Sequence, residues 1–212
     1  MNKLVEIFDS TLRDGAQGEG ISFSVQDKIS IVKALDELGV AFIEAGNPGS
    51  NPKDLEFFTQ AKKLKLKNAK LVAFGSTRRK GMAVAEDVNV QSLLTAGTDT
   101  VCVFGKTWDF QVTEILKASL QENLSMIEET IAFFVEQGKT VIYDAEHYYD
   151  GYKANPEYAL KTLQAAKKGG AKTLVLCDTN GGMLPDELAE ITALALKETA
   201  CLIGLHLHND AG

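Results

Sequence analysis

The sequence has few of the residues that would settle a function at once. Its 212 residues include three cysteines and three histidines. Cys102, Cys177 and Cys201 are odd in number and none stands in Cys-x-x-Cys spacing, which argues against a disulfide framework and a zinc ribbon. They lie in or beside strand-like runs and read as buried free thiols of a reducing cytosol rather than as redox or metal-binding groups. A basic excess is also missing: 22 Lys and Arg face 29 Asp and Glu, a net charge of −7. That argues against nucleic acid or an anionic membrane as partner, while leaving room for a local basic pocket. No apolar run is long enough to span a bilayer. Met1 to Glu6 enters a strand pattern at once and shows no signal peptide, so a cytoplasmic location is expected. No Gly-x-Gly-x-x-Gly follows the first strand, which removes the usual dinucleotide fingerprint.

What is present is a regular alternation of strand and helix. The chain is 45% hydrophobic, enough for a core of ordinary domain size. Strands are predicted at Leu4–Phe8, Ala41–Glu44, Leu71–Phe74, Thr100–Phe104, Thr140–Asp144, Thr173–Cys177 and Leu202–His208. Between them run helical patterns. One starts at Ser24 as N-cap, carries Val25, Ile29, Val32, Leu35 and Leu38 as an apolar stripe, and stops at Gly39. Pro52 opens the second. The most regular runs through Leu120, Leu124, Ile127, Ile131, Phe134 and Val135 to Gly138. Asn155-Pro156 starts another, with Asn as cap and Pro at the first helical position, and Pro185 starts the last. Near-continuous apolar strands separated by helices imply a covered parallel sheet. About seven repeats in this length suit a (β/α)8 TIM barrel, incomplete here, better than a Rossmann sheet. Residues 1–212 read as one catalytic domain truncated after the seventh strand, and such an open edge invites pairing with another chain.

Two of the three histidines stand in the last strand. Successive strand side chains face opposite sides, so His206 and His208 share one face and Leu205 and Leu207 the other. Two imidazoles so placed can reach one cation, and imidazole suits Zn, Fe, Co and Mn. In a barrel of this kind the active site lies at the C-terminal ends of the strands. The polar residues gather there: Asp9 to Gln17 after strand one, Glu44 to Pro48 after strand two, Asp144 to His147 after strand five, Cys177 to Gly182 after strand six, and His206 to Asp210 after strand seven. Any one of these could be a solvated loop or a helix cap. A carboxylate, an arginine and two histidines at one rim are harder to explain that way.

Asp14, His206 and His208 would hold a divalent ion with open positions, as catalysis requires. An open metal can chelate a 2-oxo acid and polarise its carbonyl. Arg13 can stabilise an enolate oxygen, Thr179 can hold a carboxylate through its hydroxyl, and Glu146 can take or relay a proton. Together these describe making or breaking a carbon–carbon bond through an enolate. His147 suits a supporting role rather than ligation.

The stretches Asp9-Ser10-Thr11-Leu12-Arg13-Asp14-Gly15-Ala16-Gln17 and His206-Leu207-His208-Asn209-Asp210 resemble the two signatures of the metal-dependent acyltransferase and lyase barrels. That family includes 2-isopropylmalate, homocitrate and citramalate synthases and 3-hydroxy-3-methylglutaryl-CoA lyase. Gly18 to Ser24, Pro48 to Asp54, Phe74 to Lys80, Phe104 to Asp109, Asp144 to Lys153 and Cys177 to Gly182 resemble the long-chain citramalate synthases most closely. The resemblance implies a divalent metal (Zn, Mn, Mg or Co) on Asp14, His206 and His208. It matches Arg13 to the enolate-stabilising arginine, Thr179 and Glu146 to substrate contacts, and Gln17 and Glu44 to positions near the substrate. It implies acetyl-CoA and a 2-oxo acid, pyruvate first, as substrates, and a homodimer. In this family a further metal-ligating Asn, part of the CoA site, a subdomain and an end-product-sensing domain come later in the chain. The alternatives left open are 2-oxoisovalerate or 2-oxoglutarate as acceptor, a lyase running the reverse chemistry, and an inactive partial barrel.

Overall fold

The structure is a computed structural model and describes residues 5–209. Seven strands alternate with helices: β1 (Phe8–Asp9), α1 (Val25–Leu38), β2 (Phe42–Glu44), α2 (Pro52–Ala61), β3 (Lys70–Ser76), α3 (Val88–Ala96), β4 (Thr100–Lys106), α4 (Leu120–Glu136), β5 (Thr140–Glu146), α5 (Tyr148–Ala154), α6 (Pro156–Gly169), β6 (Thr173–Asp178), α7 (Pro185–Thr199) and β7 (Leu202–Leu207). Strand order follows the sequence, β1-β2-β3-β4-β5-β6-β7, the topology expected of successive right-handed βα crossovers. No helix among the described residues is long and apolar enough to cross a membrane.

The chain divides into two compact units. The first comprises residues 1–75 and 88–102, the second 76–87 and 103–212. In the first, β1, β2 and β3 pair in parallel, with Phe8 opposite Phe42 and Phe42 opposite Lys70. Ser24 caps α1 with a complete capping box: its hydroxyl accepts the Asp27 N–H at 3.1 Å and its own N–H donates to Asp27 at 2.9 Å. Gly39, at φ 88°, ends the helix in the left-handed conformation that glycine adopts without a Cβ penalty. Ile29 and Val32 are buried as the stripe requires, but Leu38, in the last turn, is 76% exposed. The first strand is shorter than predicted. Leu4 lies outside the described residues, and Val5 and Ile7 are exposed. The Ile7 carbonyl still accepts from Ala41 and Phe42, so the chain is tied to β2 before regular pairing begins.

In the second unit β5, β6 and β7 pair in parallel, with Asp144 opposite Val175 and Cys177 opposite His206. Tyr143, Ala145, Leu174 and Leu176 are buried on these strands. Leu205 and Leu207 on β7 are about half exposed, alternating with the less exposed His206. Asn155 caps α6 by accepting the Tyr158 N–H at 3.1 Å, with Pro156 in the first turn. The short α5, packed on β6 and α6, was not visible in the sequence pattern.

One carboxylate fixes the entry to β3. Asp36, buried near the end of α1, accepts the backbone N–H groups of Lys67, Asn68 and Ala69 at 2.8–3.1 Å. Those donors, Lys67 first, hold its carboxyl below the ordinary value. A depressed carboxylate pKa contributes stability that is complete above the unfolded-state value and is lost as pH falls through the folded-state value. Asp36→Ala therefore lowers the thermal midpoint at neutral pH, and the gap to wild type closes in strong acid. Equal midpoints at neutral pH would remove this role from Asp36.

Candidate functional site

In the first unit the chemistry gathers around Arg13. Its Nε donates to Glu44 Oε2 at 2.6 Å and its Nη1 to Asp14 Oδ1 at 2.9 Å. The guanidinium carbon lies 4.0 Å from the centre of the Phe74 ring, a cation–π arrangement. Glu44, at the end of β2, is only 1% exposed and also accepts from the Ser10 hydroxyl at 2.8 Å. The Asp14 side chain is 31% exposed. Arg13, Gln17 and Phe74 line a cavity of ≈ 280 Å³, whose wall also includes Lys28, Asn47 and Lys53. Lys28 is itself buried and donates to Asp54 at 2.5 Å and to the Ala45 carbonyl at 3.0 Å. The strand-two carboxylate is thus a support for the arginine, and Gln17 is exposed.

In the second unit the period of the strands puts Asp144 and Glu146 on one face of β5, Val175 and Cys177 on one face of β6, and His206 with Gly204 on one face of β7. The registers Asp144↔Val175, Val175↔Gly204 and Cys177↔His206 make these the same face of the sheet. The His206 and His208 rings stack with centroids 5.1 Å apart and planes 26° from parallel. Glu146 forms an ion pair with Lys106 at the end of β4. Thr179, just past β6, accepts the His147 N–H at 2.9 Å through its hydroxyl oxygen. Its hydroxyl hydrogen therefore remains a donor. His147 has φ 56°, a left-handed conformation uncommon for a residue with a side chain. It is held there by Thr179 and by its own ring, whose Nδ1 lies 3.1 Å from Asp150.

Three groups of this unit were not singled out in the sequence as site residues. Lys106 partners Glu146. Asp178 closes the loop after β6 by accepting from Gly182 and Met183. Asp144, buried, accepts from the Cys177 thiol at 2.8 Å. Two-residue spacing from Glu146 was the available signal for Asp144. Nothing in the sequence pairs Lys106 with Glu146, because strand register is needed to bring them together.

The fold is TIM-barrel-like and incomplete, with seven parallel strands among the described residues. Over 98% of this chain and 70% of the other, it superimposes on a 3-hydroxy-3-methylglutaryl-CoA lyase of Bacillus subtilis with a TM-score of 0.76 at 22% identity. The chain belongs to the HMGL-like family, whose sequence profile matches residues 4–212. It is 54% identical over all 212 residues to an (R)-citramalate synthase of Aquifex aeolicus, of which it covers 40%. It is 33% identical to a 2-isopropylmalate synthase of Sulfolobus acidocaldarius, covering 100% of this chain and 52% of that one. The chain thus spans about two fifths of the length of its citramalate synthase relatives. Enzymes of the family depend on a divalent metal.

The Arg13–Glu44 pair is nearly dry, and breaking such a pair leaves one charge buried without its compensation. Glu44→Gln is expected to cost roughly 3 kcal/mol, the low end for broken buried pairs, because the amide keeps one acceptor for Ser10. Urea denaturation reads it directly; a loss within experimental error of zero would show that Arg13 does not need Glu44.

Proposed function

We propose that the protein is a metal-dependent acyltransferase that condenses acetyl-CoA with pyruvate and hydrolyses the thioester, giving (R)-citramalate and CoA. The observation that carries this reading is the identity over the whole chain: 54% to an (R)-citramalate synthase against 33% to a 2-isopropylmalate synthase. Residues 1–212 supply the barrel portion of such an enzyme.

Asp14, His206 and His208 are read as the metal ligands. The donor set supports this: one carboxylate and two neutral imidazoles suit a divalent first-row ion and leave coordination positions open. The stacked rings of His206 and His208 on one strand face fit such a role. A divalent ion bound there would act as the Lewis acid for the keto oxygen of the 2-oxo acid.

The remaining steps fall to the chain's own side chains. Deprotonation of the acetyl methyl gives an enolate, which attacks the keto carbon. The new alkoxide takes a proton, and water then cleaves the thioester to release CoA. The Arg13 guanidinium faces the developing enolate oxygen, and Glu44 and Phe74 hold it in place. The Thr179 hydroxyl, oriented by the His147 N–H that its oxygen accepts, donates to the substrate carboxylate. Glu146 carries the proton transfer, with Lys106 beside it as counter-charge. Gln17 lies in the Arg13 cavity and contacts substrate there.

The test is thiol release from acetyl-CoA by the whole protein with a divalent metal, given pyruvate, 2-oxoisovalerate or 2-oxoglutarate in turn. Release with pyruvate alone establishes the reading; release with another acid moves it to a sister synthase; no release with any sinks it. Arg13→Lys is expected to lower kcat about 10²–10³-fold, the loss typical of one oxyanion donor, with KM for pyruvate little changed. His208→Ala should abolish the rise in thermal midpoint that divalent metal produces in wild type. An unchanged rise would remove His208 from the ligand set.

A further inference from the structure

Below His208 on the same sheet face, three donors of three kinds converge from three adjacent strands. The Cys177 thiol on β6 donates to Asp144 Oδ1 on β5 at 2.8 Å. His206 Nδ1 on β7 lies 3.7 Å from that carboxylate oxygen and 4.0 Å from Cys177 Sγ. Asp144 and Cys177 are buried, and the His206 side chain is 26% exposed. A tetrahedral zinc ion, with Zn–S near 2.3 Å and Zn–N or Zn–O near 2.0–2.1 Å, separates its ligand atoms by about 3.3–3.6 Å. Each of the three separations departs from that by no more than about 0.7 Å. A small side-chain adjustment therefore suffices, with no change of strand register.

We propose that Asp144, Cys177 and His206 form a second cation site, selective for thiophilic divalent ions such as zinc and cadmium. The selectivity follows from the donors. One thiolate and one imidazole favour soft and borderline ions, whereas magnesium demands oxygen ligands in octahedral array and keeps its water. On binding, the Cys177 proton leaves to solvent and the sulfur ligates as thiolate. The thiol–carboxylate hydrogen bond is replaced by two bonds to the ion, so both buried groups stay satisfied. The ion enters past His206, the exposed member of the three.

His206 serves both this site and the metal site of the proposed function. A thiophilic ion held by Nδ1 turns the imidazole to a second task, and zinc in excess inhibits where magnesium does not. That consequence rests on the proposed function; the binding does not.

Cadmium is the probe, read by thiolate-to-cadmium charge-transfer absorbance on the full chain. A Cys102→Ser/Cys201→Ser double variant leaves Cys177 as the one thiol of residues 1–212, and on these residues it should gain the band at about one equivalent of cadmium. Asp144→Asn in that background should weaken cadmium binding at least 10-fold, in the range lost with one supporting group of a metal site. Adding Cys177→Ala should abolish the band while cooperative thermal unfolding is kept. No band in the double variant, or a band that survives Cys177→Ala, overturns the site. If the double variant does not fold, Cys177→Ala in the otherwise native chain decides: an undiminished band overturns the site and its loss supports it. Thiol release from acetyl-CoA is measured separately, so failure of the synthase reading and failure of this site give different results.

Discussion

The constraint on which the site depends is the two-residue period of a strand in a parallel sheet. Once β5, β6 and β7 are in register, every second residue is committed to one face. Asp144 and Glu146, Val175 and Cys177, Gly204 and His206 then share that face, and Tyr143, Leu174 and Leu176 go to the other. A one-residue slip of β7 would place Leu205 and Leu207 beside Cys177 and turn both imidazoles away. On β5 and β6 the apolar set fixes the register, since Tyr143, Ala145, Leu174 and Leu176 are fully buried. On β7, where Leu205 and Leu207 are about half exposed, the backbone ladder to β6 sets it instead.

In the first unit the same job falls to a buried charge pair. Arg13 sits in a loop, where the backbone alone fixes a side chain poorly. Glu44 at the end of β2, Phe74 on β3 and the neighbouring Asp14 each constrain the guanidinium from a different side. Desolvating Glu44 carries a cost that Arg13 and Ser10 offset through charge-assisted hydrogen bonds. A guanidinium held in this way needs little reorganisation to meet a developing negative charge, and that is what makes electrostatic stabilisation effective.

Much of this was legible in the sequence because its signals are local. Ser24 with Asp27, Gly39, Asn155-Pro156 and Pro185 announce helix ends through backbone chemistry spanning a few residues, and each does so in the structure. The alternation Leu205-His206-Leu207-His208 likewise needs nothing beyond its own period. What stayed hidden depends on register between strands. Lys106 meets Glu146, and Asp144 meets Cys177, only after pairing distant segments. The short α5 was missed for a related reason: its burial comes from packing on β6 and α6 rather than from an amphipathic repeat. The predicted first strand erred in the opposite direction. Its apolar alternation is real, but Val5 and Ile7 have little to cover them among the described residues, so regular pairing starts at Phe8.

Roles within the polar face follow from how each group is already engaged. Thr179 accepts the His147 N–H with one lone pair of its oxygen, which leaves its hydroxyl hydrogen to donate to an acceptor such as a carboxylate. His147 spends an unfavourable backbone conformation to make that bond, which ties the cost of the left-handed turn to the orientation of the hydroxyl. Glu146 has its charge matched by Lys106. As the donor and the proton carrier of the proposed reaction, Thr179 and Glu146 are held by separate partners, His147 and Lys106, and do not compete for the same atom.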